Sequence, residues 1–186
     1  ELCDEVGALM MIDEIQTGFA RTGAWFGFEH HGVSPDVVTL AKAMGNGMPI
    51  GACWARRDVA AVFQPGDHGS TYSGTAIATA AVSAVVDEMR RLDAPALARA
   101  QGARFTALLE AIPQVDSVRG AGLLLGAQLV GGIDAPAVYK ALIGKGLICN
   151  AVNVTTLRFA PPLTVSDAEL DEAAAMVAAA LAEIAA

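Results

Sequence analysis

Short apolar runs that end on a polar residue recur through the first half of the chain, and small apolar residues at helical spacing dominate the second. ALMMID, residues 8–13, is a continuous apolar run closed by an acid. That pattern predicts a parallel strand buried on both faces, with its functional C-terminal edge at Asp13. VVTLA, residues 37–41, repeats it and leads into Lys42, and IGACWA, residues 50–55, is a third candidate strand. The intervening stretches QTGFARTG and GNGMPIG are glycine-rich and polar, so these strands empty into loops, where ligands of α/β sheets sit.

From residue 76 to 92 the spacing predicts a helix with Arg90 and Arg91 in its last turn, where they complement the helix dipole. Asp93 and Pro95 interrupt it and suit the cap and first turn of a second helix through ALARAQGARFTALLEAI. A domain boundary is expected near residue 93. Beyond it come a strand in GLLLGAQLV, a helix around APAVYKALIGKG, a short LIC strand, the segment TLRFAP and a last helix. Ser166 with Glu169 three residues on forms a capping box for that helix. Strands alternating with helices make the expected fold class α/β, a larger domain followed by a smaller one.

Composition narrows the possibilities. Of the 186 residues 54% are apolar but only 5% aromatic, so Ala, Val, Leu and Ile must fill the core, which points to helices packed closely on a sheet. A net charge of −8 with no basic run excludes extended contact with a nucleic-acid backbone, which needs clustered Lys and Arg. The longest apolar stretches fall short of the roughly 20 residues of a membrane-spanning helix, and no export signal is visible. A soluble, cytoplasmic protein is expected. Cys3, Cys53 and Cys149 are far apart and odd in number, without metal spacing, and read as reduced thiols. The chain starts at Glu1 in ELCDEVGALMMID, a helix end running into a strand, so a fragment lacking its N-terminal part is expected.

Three polar residues at strand and loop ends carry the candidate chemistry: Asp13, Lys42 and Thr71, equally spaced along the chain. Singly, they read as a loop anchor, a solvated amine and a turn or helix cap. Together they match pyridoxal phosphate chemistry, in which a Lys amine holds the cofactor as a Schiff base and an acid partners the pyridinium nitrogen. A carboxylate there favours the protonated ring, which then accepts the electrons released when substrate loses its α-proton. Lys42 would be both attachment point and, once displaced, the base that moves that proton.

IDEIQTGFARTG, the Lys42 segment, HGSTYSG and LRFAPPLTVSDAEL resemble, in order and spacing, the C-terminal half of the class III, ornithine-type aminotransferases, which are fold type I pyridoxal phosphate enzymes. The resemblance covers nearly the whole chain. It implies that residues 1–93 are the C-terminal part of the large cofactor-binding domain and residues 94–186 the small C-terminal domain. It makes Asp13 the pyridinium partner and Lys42 the Schiff-base lysine, and puts the Gln16 amide near the cofactor's phenolic oxygen. Thr71, assisted by Ser70, would reach across a homodimer interface to the phosphate of the other subunit's cofactor, and Arg158 would bind the substrate α-carboxylate. A planar two-pronged donor suits that group, and the bland alternative for Arg158 is a surface ion pair. After HGST the family often reads GGNP, whereas here Ser73, Gly74, Thr75 and Ala76 follow, with Thr75 as the expected helix cap.

Other features stay structural. GNGMPIG lacks the dinucleotide fingerprint and is expected to bend the chain beside Lys42. His30 and His31 read as surface or interface residues, and Trp25, Phe26 and Phe28 as packing or dimer contacts. The function implied by the resemblance is transfer of an amino group from N-acetylornithine to 2-oxoglutarate, in arginine biosynthesis. Ornithine and 4-aminobutyrate are the alternative donors. An inactive fragment serving in dimerisation or binding is the alternative of a different class. In the resembled family the phosphate-cradling loop, the stacking ring and the acid that pairs with the arginine come from upstream sequence.

Overall fold

The computed structural model describes residues 2–71 and 73–184, so Tyr72 of the HGSTYSG motif lies outside the described residues. The chain forms two compact units, Glu1–Ala20 with Ala24–Ala94, and Arg21–Gly23 with Pro95–Ala186.

In the first unit, helix α1 (Leu2–Val6) precedes strand β1 (Met11–Asp13), strand β2 (Val37–Leu40), strand β3 (Ala52–Ala55), the single-turn helix α2 (Arg57–Ala60) and helix α3 (Ala76–Arg91). The sheet order is β1-β2-β3, with β1 parallel and β3 antiparallel to β2. β1 is shorter than the apolar run predicts because the Asp36 side chain captures its approach: the Met10 N–H donates to Asp36 Oδ2 at 2.8 Å. Nor is β1 buried on both faces, since Met11 is 67% exposed. Among the described residues β1 stands at the edge of this sheet, and an apolar run is buried only where another layer covers it. Thr75 occupies the N-cap of α3, yet its side chain makes no capping bond, and the cap expected there is absent. Asp93 follows with φ +48°, a left-handed break before the next helix.

The second unit holds helix α4 (Ala94–Glu110), strands β4 (Val115–Ala121) and β5 (Leu124–Leu129), helix α5 (Ala135–Gly144), strands β6 (Asn150–Asn153) and β7 (Thr156–Phe159), and helix α6 (Asp167–Ile184). Its sheet is antiparallel throughout, in the order β4-β5-β7-β6. β5 alternates strictly, with Leu125, Ala127 and Leu129 buried. With Leu157 and Phe159 of β7 they meet Phe105 and Leu109 of α4, Val138 and Leu142 of α5, and Leu170, Val177 and Leu181 of α6 in one core. The Phe105 and Phe159 rings pack edge to face at 5.3 Å. The Ser166 N–H donates to Glu169 Oε2 at 2.8 Å and the Glu169 N–H to Ser166 Oγ at 3.3 Å, the reciprocal bonds of a capping box.

Two strands depart from the sequence reading. β4 escapes it because a bulge between Val115 and Ser117 disrupts the alternation. The LIC strand is displaced to Asn150–Asn153, an edge strand that pairs only with β7 and therefore tolerates polar residues. A close backbone approach fixes the β4–β5 turn. A Cβ on Gly102 would lie 2.1 Å from the Gly122 carbonyl oxygen. Gly122 itself has φ +52°, and its Cβ would fall 2.5 Å from the Thr22 carbonyl carbon. Residues 21–23 pack here: the Leu123 N–H donates to Arg21 O at 2.9 Å, and the Arg21 guanidinium donates to Leu123 O at 3.2 Å and to Pro161 O. Burial lowers the pKa of that guanidinium.

Candidate active site

Because β1 and β2 are parallel and Asp13 is level with Thr39, both strands open on the same sheet edge. Asp13 is the last residue of β1, and Lys42 comes two residues after the end of β2. The structure thus brings the carboxylate and the amine to one edge, both exposed. Lys42 has φ +47°, a left-handed conformation for a residue with a Cβ, which costs on the order of 1 kcal/mol and marks positions held by their surroundings. A one-turn 3-10 segment, Lys42–Met44, begins with it. At Gly45 a Cβ would stand 2.3 Å from Met48 O, so the glycine-rich stretch does bend the chain sharply beside Lys42.

On the β1 side, Asp13 Oδ1 accepts the Ile15 N–H at 2.8 Å, and the Gly18 N–H donates to Glu14 O at 2.9 Å, closing a turn that holds Gln16 half-buried. Asp13 and Gln16 therefore share one short loop. Ser70 and Thr71 lie elsewhere, both exposed, in the segment before α3.

Arg158 belongs to the second unit. It sits on β7 between the buried Leu157 and Phe159, on the opposite face of the strand, half-buried, and donates through Nη2 to Asn150 Oδ1 at 3.0 Å. In register, Arg119, Gly126, Arg158 and Asn150 form one row across the sheet. Arg119 is tied down by Gln128 Oε1 at 3.3 Å and Thr156 Oγ1 at 3.4 Å.

One residue that sequence reading passes over stands out. Glu14 is 1% exposed, and its carboxylate accepts from Thr17 Oγ1 at 2.5 Å, the Gly27 N–H at 2.9 Å and the Phe28 N–H at 2.8 Å. The strand period of two was the available signal, since it sends Glu14 to the face opposite Asp13. Phe26 and Phe28 stack beside it at 5.4 Å, so these aromatics are packing residues. They also line an apolar cavity of about 370 Å³ with Val38, Leu40 and Trp54, which contains none of the candidate chemistry. His30 and His31 are exposed, and no metal-binding cluster occurs among the described residues.

The model of the family described as "Aminotransferase class-III" matches residues 1–181. The chain belongs to the class-III aminotransferase family. It is 42% identical to the acetylornithine aminotransferase of Corynebacterium efficiens, over 99% of this chain and 45% of that protein. It is likewise 42% identical to the Methanopyrus kandleri acetylornithine aminotransferase, over 97% of this chain and 47% of that protein. Among solved structures, the ornithine aminotransferase of Toxoplasma gondii superposes with a TM-score of 0.90 at 31% identity, over 99% of this chain and 45% of that one. Another structure of the same enzyme has pyridoxal phosphate in partial occupancy at its active site. A transaminase from the marine bacterium Virgibacillus gives a TM-score of 0.93 at 28% identity, over 98% of this chain and 47% of that one. This class-III chain therefore spans about half the length of the relatives it matches. Among the described residues, no helix is long and apolar enough to cross a membrane.

Proposed function

We propose that this chain is the lysine-bearing half of an aminotransferase that moves the terminal amino group of N-acetylornithine to 2-oxoglutarate in two half-reactions, working as a homodimer in the cytoplasm. The observation that carries the reading is the placement of Asp13 and Lys42 on one edge of a parallel strand pair, in a class-III aminotransferase chain. The donor set suits pyridoxal phosphate: an amine for its aldehyde, a carboxylate for its ring nitrogen and an amide for its phenolic oxygen. When bound, that group supplies an electrophilic carbon and a ring that accepts electrons.

The residues of this chain would do the rest. Lys42 Nζ would hold the cofactor covalently and, once released by the incoming amine, carry a proton to and from the substrate carbon that bears nitrogen. Asp13 would keep the proton on the ring nitrogen, and Gln16 would orient the ring from the same loop. Ser70 and Thr71 would donate hydroxyls to the phosphate of the partner subunit's cofactor. Arg158, held by Asn150, would bind a substrate carboxylate in a bidentate geometry. The preference for acetylornithine is supported by 42–43% identity to acetylornithine aminotransferases from several organisms.

In the full-length protein, Lys42→Ala is expected to abolish the visible absorbance of lysine-bound cofactor and to lower turnover by at least about 10²-fold. An unchanged band would overturn the assignment. Rates with acetylornithine, ornithine and 4-aminobutyrate, measured side by side, decide the donor. A binding role without catalysis is favoured by the apolar surface that Leu9, Met11 and Trp54 leave exposed. A wild-type protein that forms no lysine-bound chromophore with added pyridoxal phosphate would choose that reading.

A further inference from the structure

The geometry points to Glu14 as a positioning residue that sets the Asp13–Gln16 loop against the strand leading to Lys42, through its buried carboxylate and without touching the cofactor. The inference rests on the functional reading above. Glu14 is anchored by five hydrogen bonds. Its backbone N–H donates to Thr39 O at 2.9 Å, which extends the β1–β2 pairing one residue beyond Asp13, and its carbonyl accepts from Gly18 to close the loop over Gln16. Its side chain turns the other way and receives the Gly27 and Phe28 N–H groups and the Thr17 hydroxyl. Gly27 eases this approach: a Cβ there would sit tightly, 3.3 Å from both carboxylate oxygens and 3.1 Å from Thr17 Cβ. A carboxylate that receives three donors is a rigid acceptor. The residue that follows Asp13 is therefore fixed, while the Asp13 side chain stays exposed.

The need for an acid, and not merely a polar side chain of that size, follows from the donors. Glutamine in the same place turns one oxygen into an N–H₂ group. With nitrogen at the Oε1 position it faces the Phe28 N–H, and at the Oε2 position it faces the Gly27 N–H, so one buried backbone donor loses its partner in either orientation. Aspartate keeps the charge but is one methylene too short to hold all three donors.

The test uses the full-length enzyme loaded with pyridoxal phosphate. Glu14→Gln is expected to lower kcat about 10- to 100-fold, the scale set by a small misplacement of reacting groups. KM for the amino donor should stay within about twofold, because Glu14 touches no substrate, and the visible circular dichroism of the bound cofactor should change as the ring tilts. Glu14→Asp should not restore either signal. Wild-type circular dichroism and kcat in Glu14→Gln, with only a lower Tm, would reduce Glu14 to a structural residue and overturn the inference. If Glu14→Gln does not fold, Thr17→Val decides: it removes one donor of the three and should move both signals in the same direction by less, and no movement refutes the proposal. Failure of the functional reading looks different, because the wild-type protein would then form no lysine-bound chromophore.

Discussion

The two units use similar elements with opposite results. In the second, four antiparallel strands present one apolar face to α4, α5 and α6, and Leu109, Leu142, Leu157, Val177 and Leu181 are completely buried. In the first, three short strands leave Leu9, Met11 and Trp54 half or more exposed, and Val62, Phe63 and Ile77 beyond them more than 60% exposed. The first unit carries Asp13, Gln16, Lys42, Ser70 and Thr71, on strand ends and loops with left-handed residues at Phe19, Ala20, Lys42 and Asn46. The second sheet is sealed by its own helices and supplies its own hydrophobic stabilisation, whereas the first leaves apolar side chains uncovered in a chain that spans about half the length of the relatives it matches.

Truncating one apolar side chain in each unit should break the comparison most directly if it is wrong. Leu157→Ala, at the centre of the second core, is expected to cost about 2–5 kcal/mol, and Met11→Ala less than about 0.5 kcal/mol. Urea titration of both variants of this chain measures the pair, and equal losses would show that the two units are not differently built.

Next comes Cys149, whose thiol is pushed by burial from its ordinary 9.0 up to about 11. A raised acid pKa means that the folded state favours the protonated thiol. Its contribution is complete below pH 9 and is lost as pH rises through 11, a swing of roughly 2 kcal/mol. Stability should therefore decline between pH 9 and 11, and the decline should be shallower in Cys149→Ala. In the native chain at pH 8, an alkylating reagent should modify the exposed Cys53 and spare Cys149. The smallest effect is that of the capping box: Ser166→Ala should cost about 1 kcal/mol by opening the first turn of α6, and a Tm equal to wild type would show that the cap is idle.

Much of the second unit was legible in the sequence because its signals are local. The apolar run in GLLLGAQLV, Pro95 in the first turn of α4, and Ser166 with Glu169 each specify their own element. β4 and β6 were not, since a bulge and an edge position relax the periodicity that reading depends on. At the candidate site, Asp13, Lys42 and the bend at Gly45 were visible as residues at the ends of apolar runs. Glu14 was not, because its partners Gly27 and Phe28 lie more than a dozen residues away and are main-chain donors that no side-chain pattern announces.

By itself the sequence determined the α/β class, the positions of α3, α4, α5 and α6, the capping of α6 and the motifs that place the chain among class-III aminotransferases, since propensity, periodicity and spacing are properties of the chain read in order. Tertiary structure alone decided that β1 stands at the edge of the sheet the described residues form, that β3 runs antiparallel to β2, and that residues 21–23 pack with the second unit against Gly122. It alone also made Glu14 a buried acceptor of three donors. These depend on which distant backbone groups come within hydrogen-bonding or van der Waals reach, and that is a property of the packed chain.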